Sequence, residues 1–156
     1  MTIRRFSKGE EAALFTIFYS AVHSIASRDY TQEQVNAWAP STLNETEWTA
    51  RIRAIHPFVA EIDGTPVGYA DIQSSGYIDH FYVSGHHPRQ GIGNQLMGTI
   101  HIEASRQGIN ELTAKVSVTA QPFFEKHGFK IVEHLHPIVR GVALTNARMQ
   151  KRLDQQ

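Results

Sequence analysis

The sequence predicts an α/β protein with a mixed sheet, built as one domain over residues 1–156. Three observations carry that expectation. Two apolar runs, Phe58 to Ile62 and Pro66 to Ile72, flank Asp63-Gly64, the pattern of an antiparallel hairpin. The run Tyr77-Ile-Asp-His-Phe-Tyr-Val83 then leads through a short loop into Gly91-Ile-Gly93 and a helical pattern. From there strands and helices alternate: strand, helix, two strands. Hairpins pair strands antiparallel and a helical crossover pairs them parallel, so the sheet is mixed rather than fully wound.

Each element has a local reason. Thr2 to Phe6 has strand character, and Ser7 with Glu10 has the spacing of a capping box. A helix is therefore expected from Glu11 to Ala26, with Leu14, Ile17, Phe18, Ala21, Val22 and Ile25 on its apolar stripe. Thr31 and Gln34 match a second box, opening a short helix that Pro40 ends. Thr42 or Asn44 opens a third, running to about Ile55. After the hairpin, Ser74-Ser75-Gly76 makes a turn into the 77–83 strand and completes an antiparallel meander. The next helix places Ile92, Leu96, Ile100 and Ala104 on one stripe and ends near Gly108. Glu111 to Val116 reads as a strand, Thr119 to His127 as a helix stopped by Gly128, and Phe129 to Leu135 as a strand. Val142 to Leu153 alternates partly and reads as the last strand.

Composition narrows the function. Fifteen basic residues balance fifteen acidic ones, which gives no broad attraction to nucleic acid or an anionic membrane. The absence of cysteine excludes disulfides, thiolate zinc sites and cysteine nucleophiles. The N-terminal stretch Met1-Thr-Ile-Arg-Arg-Phe6 has no apolar signal core, and no run of about 18 apolar residues occurs, so a cytoplasmic protein is expected. His86-His87 and His134-x-His136 are visible, but no third ligand is evident, and no metal is expected. No G-x-S-x-G elbow supports a serine hydrolase. Oligomeric state is not decided by the sequence, which is compatible with a homodimer.

The glycine-rich helix start is the strongest chemical signal. Glycine lets backbone approach a ligand closely, and a helix start offers unpartnered N–H groups and the positive end of the helix dipole. Together they suit a phosphate or pyrophosphate. A dinucleotide fold wants a third glycine where Leu96 stands and an acid at the end of the next strand, whereas Glu111 lies at its start. The P-loop string G-x-x-x-x-G-K-[ST] does not occur. The third reading is an acetyl-CoA pyrophosphate loop. Phe81-Tyr-Val83, the Gly91-Ile-Gly93 loop, the helix through Leu96-Met97 and Ala120-Gln-Pro-Phe-Phe-Glu-Lys-His-Gly-Phe129 together resemble the GCN5-related N-acetyltransferase (GNAT) superfamily over nearly the whole chain. The segments Arg140-Gly-Val-Ala-Leu-Thr-Asn-Ala-Arg-Met149, Ile17-Phe-Tyr-Ser-Ala-Val-His23 and Ala37-Trp-Ala-Pro40 resemble its YafP-like subgroup.

The resemblance implies a six- to seven-stranded mixed sheet flanked by helices and splayed at its central parallel strands, with acetyl-CoA as cosubstrate in the gap. It implies an acetyl-CoA-dependent N-acetyltransferase acting on a small-molecule or peptide amine by direct attack in a ternary complex. An acyl-CoA-binding sensor without turnover and a nucleotide-dependent oxidoreductase are the competing classes. Phe81, Tyr82 and Val83 would pair with the pantetheine arm through their backbone. Arg89, Gln90, Gly91, Ile92, Gly93 and Asn94 would hold the pyrophosphate, and Phe124 would touch the cofactor arm. Two positions depart from the superfamily pattern. Pro88 stands where Gln or Arg opens the loop, and lacks an N–H. Phe124 stands where many members have a tyrosine that protonates the leaving thiolate.

For the chemistry, Asp79 is the first candidate base, since a carboxylate among aromatics can hold a proton near neutrality. His80 has a suitable ordinary pKa and Tyr82 can donate a proton. Regular alternation would put Asp79 on one face with Tyr77 and Phe81, and His80 on the other with Ile78 and Tyr82. Tyr19 and His23, four residues apart, share a helix face and are candidates to line the acceptor pocket, with Trp38 as a wall.

Overall fold

The computed structural model describes residues 1–87 and 89–153. The elements in chain order are β1 (Thr2–Arg5), α1 (Glu11–Ser20), α2 (Gln32–Trp38), α3 (Glu45–Ile55), β2 (Phe58–Ile62), β3 (Thr65–Ala70), β4 (Tyr77–Ile78), β5 (Phe81–Val83), α4 (Ile92–Gln107), β6 (Glu111–Ser117), α5 (Gln121–Lys126), β7 (Lys130–Leu135), β8 (Ile138–Val139), β9 (Val142–Ala143) and β10 (Asn146–Arg152). Two four-stranded sheets run β1-β2-β3-β5 and β4-β6-β10-β7, with β8 and β9 a separate hairpin. Among the described residues every pairing is antiparallel except that of β4 with β6, which is made across the α4 crossover. None of the described helices is long and apolar enough to cross a membrane.

Helix ends follow their capping chemistry. Thr31 Oγ1 accepts from Gln34 N at 3.1 Å while Gln34 Oε1 accepts from Thr31 N at 2.9 Å, the complete box expected there. Asn44, rather than Thr42, caps α3 by accepting from Glu47 N at 3.0 Å. The box expected at Ser7 is only half made. Glu10 accepts from Ser7 N, but no side-chain bond caps the helix start, and both Glu10 carboxylate oxygens bond Arg4. The helix expected to Ala26 is α-helical to Ser20 and then widens into a π-turn over Ala21–Ile25 and a 3₁₀ turn over Ala26–Arg28.

The sheet is covered on both faces. On one, Ile92, Leu96, Met97 and Ile100 of α4 pack with Ala60, Ala70, Ile78, Leu112 and Met149. The contact is close at Gly68, where a Cβ would stand 2.8 Å from Ile92 Cγ2. On the other, α1 and α3 bring Phe18, Trp48 and Ile52 onto Val59 and Tyr69.

The strand expected over 77–83 is broken in the middle, and the break shapes everything near it. Asp71 N donates to His80 O at 3.1 Å, and Gln73 N donates to Tyr77 O at 2.9 Å. Two steps along one strand thus face three along the other, so one extra residue is inserted, a β-bulge. The amides of Asp79 and His80 point the same way, and both donate to Asp71 Oδ1, at 2.8 and 2.6 Å. In a regular strand consecutive N–H groups point to opposite sides. The expected alternation therefore fails. Ile78 lies in the α4-side core near Phe81, while His80 contacts Tyr82, Phe18 and Trp48 on the other side.

Candidate active site

The bulge splits one strand between two neighbours. Its first half, β4, pairs with β6, and its second half, β5, pairs among the described residues with β3 alone. Asp71 N bonds His80 O, Tyr69 faces Tyr82 and Ser84 N bonds Val67 O, so residues 80, 82 and 84 turn their peptide groups toward β3. Phe81 and Val83, between them, turn theirs toward the gap before β6.

That gap has two lobes. One, of about 240 Å³, lies beside Ile78, Asp79, Lys115, Leu144 and Asn146. The other, of about 230 Å³, lies beside Val22, Ile25, Val83, Gly93 and Phe123. Both are walled by Trp38, Phe81, Tyr82, Ser117, Ala120 and Phe124. A third cavity of about 280 Å³ shares Trp38, Asp79 and Tyr82 with the first lobe and runs out past Phe18, Trp48 and His80.

The α4 start opens at the second lobe. Gly91 caps it with φ at +73°, in the left-handed region. Gln95 N to Gly91 O, at 3.1 Å, is the helix's first bond, so the amides of Ile92, Gly93 and Asn94 have no intrahelical acceptor. Asn94 Oδ1 accepts from His127 Nε2 at 3.0 Å. Arg89, Gln90 and Gly91 are exposed beside it. Pro88, the departure noted in the loop pattern, lies outside the described residues.

The polar groups at the bulge are held firmly. Asp71, fully buried, accepts from the two bulge amides and from Gln73 Nε2. Burial pushes its carboxyl up to about 6, partly offset by those hydrogen bonds, with the charge of Asp79 adding to the rise. His80 Nδ1 shares a hydrogen bond with Tyr69 Oη at 3.0 Å. Burial pushes the His80 imidazole down to about 4, against the pull of Asp79 and with Arg51 adding to the fall, so the ring is neutral near pH 7. Asp79 lies 3.7 Å from Arg51 Nη1. Burial also raises the Tyr82 phenol well above its ordinary value, so it keeps its proton.

The two shifts act oppositely on stability. His80 falls below its ordinary 6.5, so the unfolded chain binds more protons between about 4 and 6.5 and stability is lost as pH falls through that window. Asp71 rises above its ordinary 3.8, so the native state binds more protons between about 3.8 and 6 and stability is gained as pH falls there. His80→Gln removes only the first contribution. Urea denaturation at about pH 6.5 and about pH 4.5 should therefore show the variant losing less stability on acidification than the parent. Parallel losses would contradict the placement of a neutral imidazole here.

The remaining candidates separate. Trp38 lines all three cavities. Tyr19 and His23 do share a face, their rings stacked 4.0 Å apart, but they line none of the three, and His23 Nε2 donates to Ala39 O at 2.7 Å, tying α1's extension to the end of α2. Phe124 is buried in an aromatic group with Phe81, Phe123 and Phe129. Among the described residues no cluster of three or more His, Asp or Glu side chains is placed to hold a metal.

Sequence reasoning missed several residues. Asp71 left a signal, an acid in the apolar run Pro66 to Ile72, where strands disfavour one. Arg51, Arg140 and Trp48, brought to the third cavity from α3 and the β8–β9 turn, left none. Nor did Asn146, whose buried Oδ1 has no partner among the described residues and which lines the first lobe.

Comparison with known proteins agrees with this architecture. The acetyltransferase (GNAT) domain family matches residues 26–153. The uncharacterised N-acetyltransferase YafP of Escherichia coli strain K12 is 33% identical over 148 residues, covering 95% of this chain and 93% of that protein. A GCN5-related N-acetyltransferase structure from Rhodopseudomonas palustris, designated aminotransferase, class-II, superposes with a TM-score of 0.93 at 28% identity, covering 97% of this chain and 95% of that one. YncA of Salmonella typhimurium, solved with its cofactor acetyl-CoA, shares the fold with a TM-score of 0.70 at 22% identity over 100% of this chain and 95% of its own.

Proposed function

The chain belongs to the GNAT acetyltransferase family, and from that premise we propose that it moves the acetyl group of acetyl-CoA to a primary amine by direct attack in a ternary complex. It is an acetyl-CoA-dependent N-acetyltransferase; the direct attack and the residue roles are the proposal. One observation carries the reading: the outward peptide groups of Phe81 and Val83 line a gap that ends at the unpartnered amides of α4. A pantetheine arm could extend β5 as an added strand while its diphosphate meets Ile92, Gly93 and Asn94 N–H. Arg89 and Gln90 are near enough in sequence to add side-chain contacts.

The transfer needs a base for the amine, a donor for the carbonyl oxygen as it becomes anionic, and a proton for the leaving thiolate. Asp79 fits the base, because it borders both the gap and the third cavity, from which the amine would enter. His80 lines that cavity as a neutral ring beside it, orienting the incoming amine. An outward N–H of β5 fits the oxyanion donor. Tyr82 fits the acid by position: it borders all three cavities and carries the phenol that Phe124 lacks.

Isothermal titration with acetyl-CoA and free CoA, beside a thiol-release assay with amines, tests the reading. Asp79→Asn should lower kcat by about 100-fold, within the usual range for losing a general base, while the acetyl-CoA Kd moves less than about threefold. Unchanged turnover across pH would remove Asp79 as base.

A further inference from the structure

We infer that the acceptor is an α-amino acid with a flat or large apolar side chain, bound in the third cavity; this rests on the acetyltransferase reading and specifies its substrate class. Phe18, Trp38, Trp48, His80 and Tyr82 make its walls aromatic, with Leu43 closing one side. The walls are stiff. Trp48 Nε1 donates to Glu11 O at 2.7 Å, and its ring lies 5.3 Å from Phe18. Such surfaces favour flat apolar groups over flexible polar chains.

The charges decide the rest. Glu47 and Asp79 bring two carboxylates, and Arg51 and Arg140 two guanidiniums. A simple cationic amine would meet two like charges, and an apolar ligand would strip water from four charged groups without replacing it. A ligand with one positive and one negative group matches both pairs. An α-amino acid carries amine and carboxylate on one carbon, so its amine can take Asp79 and its carboxylate Arg51, replacing the long 3.7 Å contact between Asp79 Oδ2 and Arg51 Nη1. Arg140 spends Nη1 on Ala37 O at 2.7 Å and has its other guanidinium donors left to face a carboxylate. The amine then lies at Asp79, on the border with the gap. Asp79 takes one proton of the ammonium, nitrogen forms a bond to the acetyl carbon, and the carbon–sulfur bond breaks. The sulfur leaves as CoA thiol with a proton from Tyr82, the second nitrogen proton restores the Tyr82 phenol, and Asp79 releases its proton to solvent. The products are the N-acetyl amino acid and CoA.

The experiment measures CoA thiol release and product mass with L-phenylalanine, L-phenylalaninamide and phenethylamine at equal acetyl-CoA. The amino acid should exceed both others in kcat/KM by at least about tenfold. Arg51→Gln should collapse that ratio toward one by raising KM for the amino acid, while the acetyl-CoA Kd from calorimetry stays constant. Equal or faster turnover of the amide or the plain amine, or an unchanged ratio in Arg51→Gln, overturns the inference. If acetyl-CoA binds and other amines react but no amino acid does, this inference alone falls. If acetyl-CoA does not bind at all, the acetyltransferase reading falls with it.

Discussion

Asp71→Ala should destabilise the protein by about 2–4 kcal/mol and lower turnover more than tenfold, the larger of the two losses expected from single substitutions here. The carboxylate has no exposure, and its removal leaves the amides of Asp79 and His80 and the Gln73 side chain without their acceptor. A buried donor so orphaned costs about 1–3 kcal/mol. Part of that is offset, because Asp71 itself is ionised at the expense of burial, as its raised pKa records. The kinetic loss has a separate cause. The bulge turns Asp79 toward the cavities and packs His80 among Phe18, Trp48 and Tyr82, and it exists because two consecutive amides share one oxygen. Without that oxygen the segment can relax toward a regular strand, which moves Asp79 and His80 to other faces. Asp71→Asn separates the two effects. Its amide oxygen can still accept from both N–H groups, so the bulge should persist with about 1 kcal/mol lost. Denaturant titration and steady-state kinetics on both variants check this; an alanine variant as stable and as active as the parent would show that the bulge holds by other means.

How much of this was legible beforehand follows the range of the interactions. The Thr31 box, the Asp63-Gly64 hairpin and the α4 stripe are decided within a few residues, and each was readable as it stands. The glycine loop was readable for the same reason. The break at Asp79 was not, because its cause sits eight residues away on the neighbouring strand, in a side chain that hydrophobic periodicity counts only as a blemish. Regular alternation then assigned Ile78, His80 and Tyr82 to one face, and that assignment failed at the inserted residue. Ser7 misled in a related way. Its motif is local and Glu10 does accept from Ser7 N, but Glu10 N donates to the Ser7 carbonyl rather than to its side chain, and the helix is capped three residues later, at Glu10 itself. The third cavity collects α1, α2, α3, the bulge and the β8–β9 turn, so no spacing in the chain announces it.

Gly91→Val should weaken acetyl-CoA binding by about tenfold or more, equivalent to at least about 1.4 kcal/mol, and the structure supplies a control that isolates the reason. A Cβ at Gly91 would meet no atom of the described residues within 4 Å beyond its chain neighbours, so the free protein has room there. The variant should therefore fold, losing about 1–2 kcal/mol for forcing an L residue to a φ of +73°. Gly64, in the β2–β3 turn, has a φ of +80° and an equally open Cβ position, but lies away from the gap. Gly64→Val should carry a similar stability loss and bind acetyl-CoA as the parent does. Paired calorimetry thus subtracts the backbone strain common to both. What remains for Gly91 is the crowding of a ligand at the α4 amides, where a branched side chain would stand between diphosphate and N–H. Equal affinities in the two variants would mean that the diphosphate does not rest on this helix start, and the orientation of the cosubstrate along β5 would have to be redrawn from the other end of the gap.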